Sequence, residues 1–218
     1  MKKTLASSIV FLLLATLCLA QSGKVETLGP PSDSGISDAV KKALDTKGYR
    51  VTLNDGSALC DIWLRKSVPA QAKQDAQGAL YTQLSESVLI GAISFPQAST
   101  DYRGQAIKPG IYTLRYELIP NDGNHLGVAP NRDFLLLVPA GLDENPDAVF
   151  KFIELLDLSR KATGTRHPGP LSLVEAHSGN VPTVEKDGEE HWVFSAGTKL
   201  ASGEDLPFAL VVKGTAPQ

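Results

Sequence analysis

The densest run of groups able to bind or react is residues 121–133, Asn-Asp-Gly-Asn-His-Leu-Gly-Val-Ala-Pro-Asn-Arg-Asp. Asp122, Asn124 and Asp133 offer oxygen ligands to a hard cation such as calcium. His125 beside a carboxylate offers a place for a transition metal, and with Asp122 and Asp133 it forms the candidate set of a metal-dependent hydrolase. The spacing departs from the Asp-x-Asp-x-Asp-Gly calcium loop. Asn-Asp-Gly-Asn is also a natural chain reversal, because these residues tolerate left-handed geometry. A bound cation at the 121–133 loop and a plain turn are therefore the two readings of this segment. Arg103, within Asp101-Tyr102-Arg103-Gly104, is placed to grip a carboxylate or phosphate. Asp122, Asn124, His125, Asp133 and Arg103 form the candidate ligand-binding set, with no catalytic residue assigned.

Other chemistry-bearing residues carry weaker patterns. His167 precedes Pro168-Gly169-Pro170, a rigid loop leading into a strand. His177 and His191 flank a turn-rich stretch, where two histidines at facing strand ends can share a metal. Trp63 and Trp192 fall inside strand candidates and are expected in the core. Cys60 is the one cysteine beyond residue 20, so no internal disulfide forms among the later residues. A buried, inert thiol is expected there, since Asp61 beside it opposes a thiolate. The Gly-x-Ser-x-Gly elbow, the glycine-rich phosphate loop, His-Glu-x-x-His and Cys-x-x-Cys do not occur. No cofactor is expected beyond that cation.

The elements that must position these residues are mostly strands. Alternating or unbroken apolar runs predict strands over 49–53, 58–66, 80–84, 88–95, 111–119, 134–138, 171–176, 190–195 and 207–213. The run 134–138 is apolar throughout, so both of its faces are expected to be buried. Ser37 predicts the N-cap of a short helix ended by Gly48, and Asn145-Pro146 the start of a second helix ended by Gly164. Short strands, turn residues between them and no crossover helices predict a mainly β antiparallel sandwich, immunoglobulin-like or jelly-roll-like, with one inserted helix and a short N-terminal helix. A barrel is the alternative.

The segment Ile107-Lys108-Pro109-Gly110-Ile111-Tyr112-Thr113-Leu114 resembles the strand entry of immunoglobulin-like and fibronectin-like sandwiches. That resemblance implies that the Tyr112 hydroxyl bonds back to the preceding loop. It implies no activity. The whole chain also resembles small exported bacterial proteins of unknown function.

Residues 1–20 read as a cleavable signal peptide. Lys2 and Lys3 precede an apolar stretch over 5–19, and Ala20 is a small residue at the cleavage point. Cys18 gives the alternative of a lipoprotein, although Leu17 before it is bulky for that processing. Residues 21–36, rich in Gly, Pro and Ser, are expected to be a flexible leader, and 37–218 a single β-sandwich domain. Removing 1–20 takes away two lysines and no acid, moving the net charge from −3 to −5. An acidic chain without a basic stripe argues against nucleic-acid partners. No later run reaches the roughly eighteen apolar residues of a membrane span. The expectation is a protein of the periplasm or the medium that binds a small ligand or an envelope component, non-enzymatic, with the metal-dependent hydrolase as alternative.

Overall fold

A computed structural model describes residues 23–122, 129–176 and 181–216. Its strands are β1 (Lys24–Leu28), β2 (Gly48–Thr52), β3 (Ala58–Leu64), β4 (Leu89–Phe95), β5 (Ser99–Thr100), β6 (Ala106–Ile107), β7 (Gly110–Leu118), β8 (Asp133–Pro139), β9 (Pro170–Val174), β10 (Thr183–Lys186), β11 (Trp192–Lys199) and β12 (Asp205–Lys213). The helices are α1 (Asp38–Ala43) and α2 (Phe152–Thr163), and a 3₁₀ turn covers Ala140–Leu142. Ten strands form one antiparallel sheet in the order β1-β2-β3-β4-β7-β8-β9-β12-β11-β10. The two end strands approach each other, and the Gly23 amide donates to the Val184 carbonyl at 3.1 Å. The sheet is thus nearly closed as a barrel and replaces the expected pair of stacked sheets. Closure satisfies edge strands that an open sheet leaves bare.

Alternation explains the core. Tyr112, Leu114 and Tyr116 of β7 point inward with Leu135 and Leu137 of β8, Leu171 and Leu173 of β9, and Phe208 and Leu210 of β12. The barrel interior is filled by these side chains. Outward residues are covered in two places. Val40 and Leu44 of the α1 region pack on Trp63, Leu89, Ala92 and Ile111. Leu155 of α2 packs on Phe134, Leu136 and Val138. That cover is the reason β8 is apolar on both faces, as its sequence predicts. The Tyr112 hydroxyl donates to the Lys108 carbonyl at 2.8 Å, closing the corner that its sequence context implies.

Several elements differ from expectation, each with a physical reason. The 21–36 segment is not simply a leader: residues 24–28 are β1, paired along their length with β2. α1 is capped by Ser37, whose Oγ accepts from the Val40 amide at 3.2 Å. It ends at Ala43, and Gly48 instead opens β2, where the Trp63 indole leaves no room for a Cβ. α2 starts at Phe152 and not at Asn145. The carbonyls of Asn145 and Ala148 accept from Arg115 and that of Pro146 accepts from Arg65, and the Asn145 carbonyl closes only a single turn with the Ala148 amide (3.1 Å). Residues 80–84 are not a strand, because the Leu80 and Tyr81 amides donate to the Asp133 carboxylate.

Glu117 sits on the outward face of β7 at 1% exposure. Burial, and then the nearby Glu86 carboxylate, push its pKa from 4.5 to about 8. The unfolded chain releases this proton near pH 4.5 while the folded chain holds it to about 8. The group's stabilising contribution is thus complete below pH 4.5 and is lost as pH rises through about 8. Relative to Glu117→Gln, the wild type is expected to lose on the order of 2–4 kcal/mol of stability across that window. Urea midpoints of both proteins at the two ends of the window check this.

Candidate functional site

The site is built on the outer surface, where α2 lies across β8 beside β6. β5 and β6 form a small hairpin whose tip is residues 101–105. Asp101 is buried and organises that tip, accepting from the amides of Arg103 (2.9 Å) and Gln105 (2.8 Å) and from Gln105 Nε2 (2.6 Å). Burial raises the Asp101 pKa, and these hydrogen bonds oppose the rise. Gly104, at φ +79°, completes the reversal in a conformation that favours glycine. The tip is fastened to β9, since the Tyr102 amide donates to the Pro170 carbonyl at 2.8 Å. Tyr102 is thereby turned inward and Arg103 outward.

The opposite side is set by the end of α2. Gly164 stops the helix in left-handed geometry at φ +67°. Thr163 Oγ1 donates to the His167 carbonyl (2.8 Å), Thr165 Oγ1 to Gln105 Oε1 (2.7 Å) and the Gly169 amide to Ser159 Oγ (3.0 Å). Arg160 Nε donates to the Arg166 carbonyl at 2.8 Å, and its guanidinium pairs with Asp157. The segment 164–170 is therefore held against both the helix and the hairpin tip.

Between them lies a cleft of about 320 Å³. Phe134, Ser172 and Tyr102 form its floor. Phe152, Leu156 and Arg160, at four-residue intervals along one face of α2, form one wall. Ile119, Pro120, Asp122 and Ala129 form the other, and Arg103, Arg166 and His167 stand at the rim. The volume falls at the low end of ligand pockets, roughly 300–1,000 Å³. Its walls are mainly apolar and its charged groups mainly cationic.

Tyr102 is 4% exposed. Its hydroxyl meets regular hydrogen-bond geometry with no described residue, although the Ser172 hydroxyl is close enough to interact with it. Burial raises its pKa, so the hydroxyl stays protonated and is a donor. Ser172 Oγ makes only a long bond, 3.4 Å, to the Leu173 carbonyl. Two hydroxyls on the floor of an apolar cleft are thus poorly satisfied, which buried polar groups rarely are.

Of the residues singled out by sequence, Arg103, Asp122 and His167 meet at this cleft. Asn124, His125 and His177 lie outside the described residues, as do residues 1–20. Asp133 is turned the other way. It is fully buried, and its carboxylate accepts from the Leu80 and Tyr81 amides (2.6 and 2.9 Å) and from the Tyr116 hydroxyl (2.7 Å). Its neighbour Phe134 faces the cleft, and successive strand residues face opposite sides. Asp133 is therefore a structural anchor and does not join Asp122 as a ligand.

His191 has both ring nitrogens engaged, Nδ1 with Asp187 (3.2 Å) and Nε2 with the Thr215 carbonyl (3.0 Å). Cys60 is buried, and burial pushes its thiol pKa up, which keeps it unreactive. Trp63 and Trp192 are buried as expected, and Trp63 Nε1 donates to the Gly29 carbonyl at 2.8 Å. Among the described residues no three His, Cys, Asp or Glu side chains are grouped to hold a metal ion.

The sequence reading missed Tyr102, Phe152, Leu156, Arg160 and Arg166. A signal for some of them exists: residues 152, 156 and 160 lie on one helical face, and Arg166 follows the glycine that ends the helix. No helix is long and apolar enough to cross a membrane among the described residues. No protein-family model, curated protein or solved structure matches this chain.

Proposed function

We propose that the protein is an exported, non-catalytic β-barrel that binds a small ligand in the cleft between α2 and the outer faces of β8 and β9. The observation that carries this reading is the apolar cleft whose floor holds a buried Tyr102 hydroxyl with no regular hydrogen bond. The barrel interior is filled by side chains, which favours the outer surface for a ligand. The absence of nucleophile-elbow, phosphate-loop and zinc signatures from the sequence supports binding over catalysis.

Export rests on residues 1–20, with Lys2 and Lys3, the apolar stretch and Ala20 as its features. The resemblance to small exported bacterial proteins accords with it, and the destination is the cell envelope or the medium. Mass spectrometry of the mature N-terminus tests this: a free residue near Gln21 is expected, a lipid on Cys18 contradicts simple cleavage, and an uncleaved Met1 contradicts removal of the signal.

Binding is tested by thermal melting of the exported form with a panel of small apolar molecules, neutral and charged. A ligand at roughly 100 times its Kd adds about 2.7 kcal/mol of stability and raises the melting temperature by several degrees. Absence of a shift with every compound contradicts the reading, and so does turnover of an envelope substrate.

A further inference from the structure

The geometry points to the chemistry of the ligand: we propose that the cleft takes an amphiphilic anion, a carboxylate or phosphate headgroup on a short apolar body. This rests on the cleft being a binding site.

Charge is the first argument. The cleft is lined by Arg103, Arg160 and Arg166 against the single carboxylate of Asp122, on a chain of net charge −3. Basic groups are therefore concentrated here against the trend of the molecule. The three arginines are not equivalent. Arg160 is engaged with Asp157 and with the Arg166 carbonyl. Arg103 and Arg166 donate no side-chain hydrogen bond to any described residue, although Arg103 is close enough to favour the charged form of Asp101. A guanidinium presents a planar fork of donors that matches carboxylate and phosphate oxygens.

The second argument is independent. The Tyr102 hydroxyl is buried and protonated with only the Ser172 hydroxyl beside it and no regular hydrogen bond, so it is a donor that an oxygen acceptor would satisfy. Tyr102 and Arg103 are consecutive and both line the cleft. A neutral hydrocarbon leaves both unsatisfied, and a cation is repelled. Phe134, Phe152 and Leu156 require an apolar body for the rest of the ligand.

Calorimetric titration of the exported form at low salt tests the proposal, with octanoate, octyl phosphate, octanol and octyltrimethylammonium as probes. Saturable binding of the two acids is expected, about 10-fold or more tighter than octanol, with no binding of the cation. The double variant Arg103→Gln, Arg166→Gln should lose about 10-fold or more in octanoate affinity while keeping its melting temperature and its affinity for octanol. Tyr102→Phe should weaken acid binding several-fold without lowering the melting temperature, because the hydroxyl it removes makes no regular hydrogen bond.

Octanol binding as tightly as octanoate, or an unchanged double variant, overturns the anion proposal and leaves the binding reading standing. Failure of every probe overturns both. Binding to phosphatidylglycerol vesicles with none to the soluble acids overturns the proposal in favour of a membrane surface.

Discussion

Replacing Arg115 by leucine is expected to cost about 3–5 kcal/mol of stability, because it leaves Asp143 charged and unpaired in the interior. Both side chains are fully buried. All five guanidinium hydrogens are used. Nε and Nη2 donate to the two Asp143 oxygens (2.8 and 2.6 Å). Nη1 donates to the carbonyls of Ser87 (2.8 Å) and Ala148 (2.9 Å), and Nη2 also donates to that of Asn145 (2.8 Å). The guanidinium lies over the Phe150 ring at 5.0 Å, and the Thr113 hydroxyl donates to Asp143 at 2.6 Å.

One side chain therefore fastens residues 143–150 to β7 and fixes the approach to α2. Asp143→Asn should cost a comparable amount, since it removes the countercharge and keeps the shape. The double variant Arg115→Met, Asp143→Leu should recover part of the loss, because an apolar pair leaves no buried charge. Urea denaturation midpoints measure all three, and a loss below about 1 kcal/mol for Arg115→Leu contradicts this account.

Asp133→Ala is the second large effect, about 3 kcal/mol, with loosening of residues 80–84. Its carboxylate terminates three donors, and truncation leaves a buried amide, a partly buried amide and a buried phenol unsatisfied. Tyr81 also carries the segment across to β9 and β12, donating to the Val174 carbonyl (2.7 Å) and accepting from the Ala209 amide (3.2 Å). Tyr116→Phe removes only one of the three donors and should cost about 1 kcal/mol. Hydrogen exchange at the Leu80 and Tyr81 amides distinguishes the cases: fast exchange is expected in Asp133→Ala and slow exchange in Tyr116→Phe.

These two carboxylates show why the fold was only partly legible in the sequence. Strands whose identity depends on their own pattern were read correctly, β8 most clearly, since an apolar run needs only cover on both sides. Segments whose conformation depends on a distant polar side chain were misread. Residues 80–84 look like a strand until Asp133 takes their amides. Asn145-Pro146 looks like a helix start until Arg115 and Arg65 take the carbonyls. β1 lies in a stretch whose Gly, Pro and Ser content signals a loop, and only pairing with β2 makes it a strand. Sandwich and barrel share the same alternating pattern, and the approach of β1 to β10 decides between them.

The site followed the same rule. Arg103, Asp122 and His167 were visible as polar residues in turns. Asp133 was visible too, but its side of the strand was set by β8 pleating and not by the polarity of its neighbours. Tyr102 was hidden because nothing local says that its hydroxyl will be buried without a regular hydrogen bond. Phe152 and Leu156 carry no signal of a cleft, since a helix face that lines one has the same periodicity as one that is packed.

The most direct test of the cleft is an amide chemical-shift map recorded while octanoate is titrated into the exported form. The predicted footprint is confined to the hairpin tip at Tyr102 and Arg103, to α2 at Phe152, Leu156 and Arg160, and to Ser172 on β9. Saturating shifts centred on the polar crevice between β2 and β11, around Lys47, Tyr49 and Thr198, would contradict it.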